Sequence, residues 1–350
     1  MAVTRADVAR LAGVSPALVS YVINPGSRPV SADARRRIEA AIAELGYRPN
    51  AIAQALRRSS SRSIGLLMPT FTSPVVSYAA ENIEELFREH GYVMLSGNTG
   101  GASERETSYL QDFISRGVDA LLLISTASPE GLATAAASGV PVIALDNVPE
   151  EVGVSTIRVD AAGGAESAVK HLIEVHGHTR IACIAADWPP HSQAESRVVG
   201  WRSAMTAAGL PAGDDLLVRA ETFDRAGGWN AVGHVLDATD ATAAFVTSDV
   251  KAIGALNNLR SRGVRVPEDF AVVSYDGTVL AGSAWPRLTT VDQGIPELAA
   301  VVVERLLEKI KNKGSAPTHD VFPTTLVIRE SCGCPPAAQQ PPSPTATAVG

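Results

Sequence analysis

From residue 63 onward, short uninterrupted apolar runs alternate with longer stretches that have helical spacing. The runs IGLLMP, VDALLLIS and VPVIALD are not broken by alternating polar positions, which is typical of strands buried on both faces of a parallel sheet. After VSTIRVD the alternation starts again, with IACIAA, TAAFVTSD and DFAVVSYD. Two successive βα blocks predict two doubly wound α/β lobes, each with a mostly parallel sheet.

The first 62 residues have a different charge from the rest of the chain. They hold ten arginines, no lysine and four acidic residues, a formal charge of +6, whereas the whole chain carries −7. A basic segment attached to an acidic body suggests a polyanionic partner for that segment only. A merely solvated, charged surface is the alternative.

Three short helices are predicted in this basic segment, at about 5–11, 16–23 and 32–45. Apolar residues that join the first two helices, a small residue where they touch and a glycine at the turn define a helix-turn-helix. Val8, Val19 and Val22 supply the apolar contacts, Ala9 the small residue and Gly13 the turn. The spacing therefore predicts an all-α helix-turn-helix headpiece in front of the two lobes.

The quoted residues resemble the LacI/GalR family of bacterial transcriptional regulators. The resemblance begins with TRADVARLAGVSPALVSYVIN and continues through AIAELGYRPNAIAQAL, VPEDFAVVSYDG, RLTTVDQ and LVIRESCG. It covers residues 3 to about 331 in matching order and implies a periplasmic-binding-protein-like core. It also implies a homodimer on double-stranded, pseudo-palindromic operator DNA, controlled by a small-molecule effector that is a sugar or a related polyol.

The resemblance assigns the second predicted helix to base reading in the major groove. Pro16, Ala17 and Tyr21 occupy the base-reading positions, although proline and alanine offer only apolar contacts, for example to a thymine methyl. Thr4, Ser15, Ser20 and Asn24 match positions that touch the DNA backbone. Ser15 is equally suited to be a plain helix N-cap, and the two roles can coexist.

A short hinge helix is implied after the headpiece, at about 50–56. Such a helix is too short to be stable alone and would form when two copies pack on DNA. Asn50 opens it, Leu56 matches the apolar wedge that enters the minor groove, and Ala53 lets the two helices approach. Leu56 could instead simply begin the core.

The effector is expected between the lobes, at the carboxyl ends of the strands. Arg197, Phe223 and Asp276 fall on the effector positions of the family, while a helix cap for Asp276 and an interlobe ion pair for Arg197 are the alternatives. Trp285 is equally suited to stack in the cleft or to pack beneath the final strand. The full candidate set is Phe71, Ser73, Asp146, Asn147, Asp160, Arg197, Phe223, Ser248, Asp249 and Asp276.

Several other functions are not supported by the sequence. A Walker A loop, a Gly-x-Ser-x-Gly turn and a Gly-x-Gly-x-x-Gly loop are absent, so no enzyme and no cofactor are predicted. The Cys332-x-Cys334 pair lacks zinc-knuckle spacing and no histidine pair lies beside it, so no metal is predicted. No apolar run of about 18 residues and no signal sequence are found, which predicts a cytoplasmic protein without a membrane contact. A solute-binding protein or an α/β enzyme acting on a sugar remains the rival interpretation.

These patterns predict four regions along the chain. Residues 1–48 form the headpiece, 49–61 the hinge and linker, and 62–331 the effector-binding and dimerisation core. The tail at 332–350 is rich in proline and alanine and is expected to be disordered. Within the core, the first lobe takes about 62–159 and 292–322, and the second about 160–291 and 323–331. The tail has no leucine heptads, so a dimer is expected rather than a coiled-coil tetramer.

Overall fold

A computed structural model describes residues 3–23, 29–48, 60–124, 128–187 and 192–335. The chain divides into two compact units, Met1–Arg62 and Ser63–Gly350.

The first unit contains the three predicted helices, α1 (Arg5–Ala12), α2 (Pro16–Ile23) and α3 (Ala32–Leu45). The chain turns by 106° between α1 and α2, at the left-handed residue Gly13, which is the geometry of a helix-turn-helix. Their contact faces form one small core with α3. Its fully buried members are Val8, Ala9, Ala12, Val19, Val22, Ile38 and Ala41.

The second unit begins with a βα alternation that forms the first lobe. Apolar runs become strands because both of their faces are covered by helices, and each helix begins just after a strand ends. The elements are β1 (Ser63–Met68), α4 (Pro74–Glu89), β2 (Val93–Asn98), α5 (Ser103–Ser115), β3 (Ala120–Ile124), α6 (Pro129–Ala137), β4 (Val142–Leu145) and β5 (Ser155–Val159).

The same alternation then builds the second lobe. Its helices α7 and α8 pack on each other on one side of the sheet, and α9 and α10 pack on each other on the other side. The elements are α7 (Ala161–Glu174), β6 (Ile181–Ala186), α8 (Gln193–Ala207), β7 (Leu217–Ala220), α9 (Arg225–Ala238), β8 (Ala243–Val246), α10 (Asp249–Ser261), β9 (Ala271–Asp276), α11 (Val279–Ser283) and β10 (Thr289–Asp292).

The chain crosses between the lobes three times among the described residues. It crosses after β5, returns after β10 to form α12 (Ile295–Lys311) and β11 (His319–Phe322), and crosses again to form β12 (Thr325–Val327). The two sheets have the orders β11-β5-β4-β3-β1-β2 and β12-β10-β9-β8-β6-β7. All pairings are parallel except β10 with β12. The predicted α/β, two-lobed, doubly wound core is therefore confirmed.

The equivalent strand order in both sheets places one crevice in each lobe. In the first sheet the order reverses between β1 and β3, and in the second sheet between β6 and β8. Ligands of doubly wound folds bind outside the carboxyl ends of the strands at such switch points. The loops after these strands are therefore where the binding residues belong.

Among the described residues, none of the single helices is long and apolar enough to cross a membrane. The consecutive pair α1 and α2 passes the same length and composition test only when taken together, across its 106° bend.

Candidate functional site

The second helix of the headpiece presents an outer face that has few hydrogen-bonding groups. Pro16 and Ala17 are exposed, and Ser20 and Tyr21 are partly buried. Val19 and Val22 are buried against α1 and α3. The helix therefore has an apolar inner face, and Pro16 and Ala17 lie on its exposed outer face. Asn24 and the hinge residues Asn50, Ala53 and Leu56 lie outside the described residues.

Two of the residues predicted to touch the DNA backbone also cap helices. Thr4 and Asp7 form a reciprocal capping box at the start of α1, with Thr4 Oγ1 donating to Asp7 Oδ2 at 2.6 Å. Ser15 Oγ accepts a hydrogen bond from the Leu18 amide at 3.3 Å. Both side chains are on exposed residues, so capping fixes their positions without covering them.

A buried ion pair lies at the carboxyl end of the second sheet. Arg197, on α8, donates from Nη1 to Asp276 Oδ1 at 3.0 Å and to the Thr247 carbonyl at 2.6 Å. Its guanidinium lies 3.9 Å from the centre of the Tyr275 ring. Gln293 Nε2 donates to the same Asp276 oxygen at 3.1 Å. One side chain from α8 is therefore fixed against the ends of both β8 and β9.

Asp276 combines burial with an unusual backbone. It is 5% exposed, and its φ of +124° is a conformation that residues with a Cβ rarely adopt. Burial raises the pKa of its carboxyl to about 7, although the neighbouring Arg197 opposes the shift. Such strain and pKa perturbation in a cleft are typical of functional sites. The two hydrogen bonds identified above both reach Oδ1, and among the described residues none is found at Oδ2.

Two buried polar atoms beside this pair have no protein partner in the described part of the chain. They are Arg197 Nε and the hydroxyl of Ser248, which is the N-cap residue of α10 but makes no capping hydrogen bond. Native proteins rarely leave such groups unsatisfied, because an unmade buried hydrogen bond costs about 1–3 kcal/mol. Arg197 Nε can donate a hydrogen bond, and the Ser248 hydroxyl can donate or accept one. The hydroxyl groups of a ligand could therefore pair with both atoms.

Sequence reasoning missed Lys251, which lies one turn into α10. It is 3% exposed, and its ammonium is 5.9 Å from the centre of the Phe223 ring. Among the described residues no carboxylate lies within ion-pair distance of it, although the charge of Asp276 partly opposes the lowering of its pKa by burial. A lysine beside apolar β8 looks in sequence like any exposed helix residue, so only the fold reveals its burial.

The structure gives Asp249 a different role from the predicted direct contact with effector. It is completely buried, and its oxygens accept four hydrogen bonds, from Ser274 Oγ, Thr290 Oγ1, and the amide and hydroxyl of Thr278. These bonds tie α10 to β9 and β10. Its carboxylate is therefore engaged within the second lobe and positions the strand ends rather than facing the cleft.

Asn147 of the first lobe makes a contact across the cleft. Asn147, after β4, donates from Nδ2 to Ser196 Oγ at 3.0 Å, directly beside Arg197. Asn147 and Ser196 also line an open depression of about 310 Å³ together with Glu195 and Val199. Asp146 is buried beside them, whereas Phe71 is 52% exposed and Ser73 is the N-cap residue of α4. The structure therefore brings Asn147 to the Arg197 helix and leaves Phe71 on an open surface.

Three further candidates are Asp160, Trp285 and Phe223. Asp160 caps α7, its Oδ1 accepting from the Gly163 amide at 2.9 Å, and its own amide donates to the Phe322 carbonyl between two crossings. Trp285 is 84% exposed, which excludes packing beneath the final strand. Phe223 is 50% exposed and opens toward solvent beside Lys251.

One negative expectation also needs correction. In space, His171 and His176 lie directly beside Cys332 and Cys334, although more than 150 residues separate the two pairs in sequence. The statement that no histidine pair lies beside the cysteines is correct only along the chain.

Burial of Lys251 makes the folding stability of the chain depend on pH. Burial lowers the pKa of Lys251 to about 8, below its ordinary 10.5, so the unfolded chain binds more protons between these values. Stability from this group therefore rises with pH from about 8 to about 10.5, by roughly 3 kcal/mol. We expect Lys251→Met to be more stable than the parent chain at pH 7.5, with the difference shrinking toward pH 10. Urea unfolding at both pH values measures it, and a difference independent of pH would contradict it.

Comparison with known proteins agrees with this architecture. Residues 4–50 match the model of the bacterial regulatory proteins of the lacI family, and residues 169–332 match a periplasmic binding protein-like domain. The HTH-type transcriptional regulator DegA of Bacillus subtilis is 33% identical over 95% of this chain and 98% of its own length. The ribose operon repressor of Escherichia coli K12 is 35% identical over 88% of this chain and 93% of its own.

Solved structures give the same result. The lac repressor dimer bound to operator and the anti-inducer ONPF superposes with a TM-score of 0.83 at 28% identity, covering 95% of this chain and 99% of that one. The complex of the transcriptional regulator CelR with cellobiose has a TM-score of 0.71 at 32% identity, covering 94% and 99%.

The headpiece and the two-lobed core therefore define a DNA-binding transcription regulator rather than an enzyme. The chain belongs to the lacI family of bacterial regulatory proteins.

Proposed function

We propose that this chain is a repressor that binds a pseudo-palindromic operator as a homodimer and releases or tightens on DNA when a sugar or related polyol enters its cleft. The observation that carries the proposal is the Arg197–Asp276 pair, fixed at the carboxyl strand ends with unsatisfied polar atoms beside it. Solved relatives support both DNA binding and effector binding. The lac repressor was solved as a dimer bound to operator, and a LacI family regulator from Enterococcus faecium was solved with bound ribose. The site of action would be the cytoplasm, where operator DNA lies.

The proposed effector contacts follow from the hydrogen-bonding groups of the cleft. Arg197, Asp276, Ser248 and Asn147 would bind hydroxyl groups, because each offers a fixed donor or acceptor at the strand ends. Phe223 would pack against a sugar face beside Lys251. Asp249 would act from behind by holding β9 and β10 in place.

A second class of effector is favoured by Lys251. A buried ammonium without a carboxylate at ion-pair distance among the described residues is a suitable partner for an anionic group. A sugar acid or a sugar phosphate would place that anion near Lys251 while its hydroxyls meet Arg197 and Asp276. A ligand panel should therefore contain neutral and acidic sugars in matched pairs.

The three chain crossings between the lobes would couple effector binding in the cleft to operator binding by the headpiece. Effector that prefers one arrangement of the lobes shifts the population of the dimer toward it. The spacing of the two hinge segments changes with that arrangement, and with it the fit to operator. In the hinge, Leu56 is proposed to be the wedge and Ala53 the close-contact residue, with Asn50 on the DNA backbone.

Substitution of Tyr21 tests the proposed base reading by α2. Because Pro16 and Ala17 offer no side-chain hydrogen bonds, the Tyr21 hydroxyl is the main polar reader on the outer face of α2. We expect Tyr21→Ala to relax preference at one base pair of each half-site, by about 1–3 kcal/mol, in selection from a randomised operator library. Tyr21→Phe is the matched control that removes only the hydroxyl. A uniform loss across all sequences would contradict base reading by Tyr21.

A further inference from the structure

Two histidines and two cysteines from distant parts of the second unit meet outside the effector cleft. His171 lies in the last turn of α7, and His176 follows that helix by two residues. Cys332 ends the short 3-10 turn Glu330–Cys332, and Cys334 lies two residues further on. One ligand atom from each of the four side chains lies within 4.8 Å of all the others.

Four of the six separations between the ligand atoms are close to the edges of a tetrahedron around zinc. The two Nε2 atoms are 3.3 Å apart, and the three N–S separations found are 3.3, 3.4 and 3.6 Å. Zinc with Zn–N of about 2.0–2.1 Å and Zn–S of about 2.3 Å requires edges of about 3.3 Å between nitrogens and about 3.5 Å between nitrogen and sulfur. Observed and required edges differ by no more than about 0.3 Å.

The backbone between the cysteines is adapted to bring both thiols to one side. Gly333 has a φ of +107°, a left-handed conformation that favours glycine, and a Cβ there would lie 3.1 Å from Nδ1 of His176. A side chain at position 333 would therefore be strained and would crowd the ring of His176.

The surroundings of the cluster suit a metal ligand set. Cys332 is 1% exposed and His171 is 9% exposed, so water competes poorly for their ligand atoms. Thr289 Oγ1 donates a hydrogen bond to Cys332 Sγ at 3.1 Å. Hydrogen bonds of this kind orient ligands and stabilise the thiolate form of a metal-bound cysteine.

We propose that His171, His176, Cys332 and Cys334 form a tetrahedral Zn²⁺ site in the second lobe. Two nitrogen and two thiolate ligands are a set typical of structural zinc, and four protein ligands leave no open position for catalysis. Each cysteine loses its proton to solvent as its sulfur binds the metal, and the zinc keeps its charge of +2.

The site would join two parts of the chain that flank the crossings. α7 follows the first crossing, and the Cys332 turn follows β12 after the third. Zinc would therefore fix the end of the folded core to the helix that opens the second lobe, and stabilise that lobe against unfolding.

The test uses the full chain without a histidine tag, reduced and freed of metal by a chelator. We expect one equivalent of Zn²⁺ to bind with a dissociation constant well below about 1 μM and to raise the melting temperature, whereas Mg²⁺ does neither. Co²⁺ in its place should give the visible bands of tetrahedral cobalt and a thiolate-to-cobalt charge-transfer band. Cys334→Ser and His176→Asn, both half-buried, should abolish stoichiometric binding.

Two substitutions outside the cluster are matched controls: Cys183→Ala removes a buried thiol in β6, and His234→Asn removes an exposed imidazole. Both should leave the cobalt spectrum unchanged. If Co²⁺ added to the metal-free parent chain gives no thiolate-to-cobalt band, the proposal is overturned, whatever the variants do. It is also overturned if Cys334→Ser keeps the parental band, or if zinc binds only in large excess. The four side chains would then form a hydrogen-bonded cluster without metal.

Discussion

Replacing Arg197 by methionine is expected to lower effector affinity by about 100-fold, equivalent to about 3 kcal/mol. The guanidinium holds Asp276 at 3.0 Å, and its buried Nε has no partner among the described residues, so its removal takes away both a donor and the alignment of the carboxylate. Breaking a buried ion pair also costs about 3–5 kcal/mol of folding stability. Isothermal titration with an effector found in the sugar panel, and urea unfolding, measure the two effects.

The same helix supplies the control. Arg202, on α8, pairs with exposed Asp214, and its side chain is 46% exposed. Arg202→Met should leave effector affinity unchanged and alter stability by less than about 1 kcal/mol. Adding Asp276→Asn to Arg197→Met should recover part of the stability but none of the affinity, because it removes the stranded carboxylate. Undiminished effector affinity in Arg197→Met would contradict the proposed contact.

Replacing Ile38 by alanine is expected to abolish operator binding without changing the core. Ile38 is completely buried at the centre of the three-helix unit, and large-to-small changes at such positions cost about 2–5 kcal/mol. A unit of this size holds only a few kcal/mol of stability in total, so α2 loses the surface that positions it. Operator affinity by fluorescence anisotropy should fall by more than about 100-fold.

Leu11 gives a matched control in the same headpiece, because its side chain is 47% exposed on α1. Leu11→Ala should leave the headpiece folded, as followed by the dispersion of its amide signals in NMR spectra. Since Met1–Arg62 and Ser63–Gly350 are separate compact units, both variants should keep the parental melting transition of the core. A core that unfolds together with the Ile38→Ala headpiece would contradict this independence.

The sequence predicts those parts of the fold that depend on local pattern. Continuous apolar runs identify the central strands, and the predicted limits of α2 and α3 coincide with the observed ones. It does not predict β10 and β11, which are four residues each. β11 alternates exposed and half-buried residues at a sheet edge, so its strand conformation depends on pairing with β5.

The candidate site divides in a similar way. Residues at or just beyond the carboxyl ends of strands, such as Asp276 and Asn147, can be placed because these ends meet at one edge of the sheet. Sequence cannot tell which aspartate faces the cleft and which is used internally, as Asp249 is, because that depends on Ser274, Thr278 and Thr290. The burial of Lys251, and the cluster of His171, His176, Cys332 and Cys334, depend on contacts between distant segments. Residue spacing along the chain does not reveal such contacts.

The most direct measurement is operator affinity with and without effector, in the parent chain and in Arg197→Met. An operator selected from genomic DNA would be titrated by fluorescence anisotropy, alone and with each member of a panel that includes ribose, cellobiose and matched acidic sugars. We predict that one panel member changes the affinity of the parent chain by about 5- to 150-fold and leaves that of Arg197→Met unchanged. A sugar that binds the parent chain in the cleft, yet alters operator affinity in neither protein, would contradict regulation through this site.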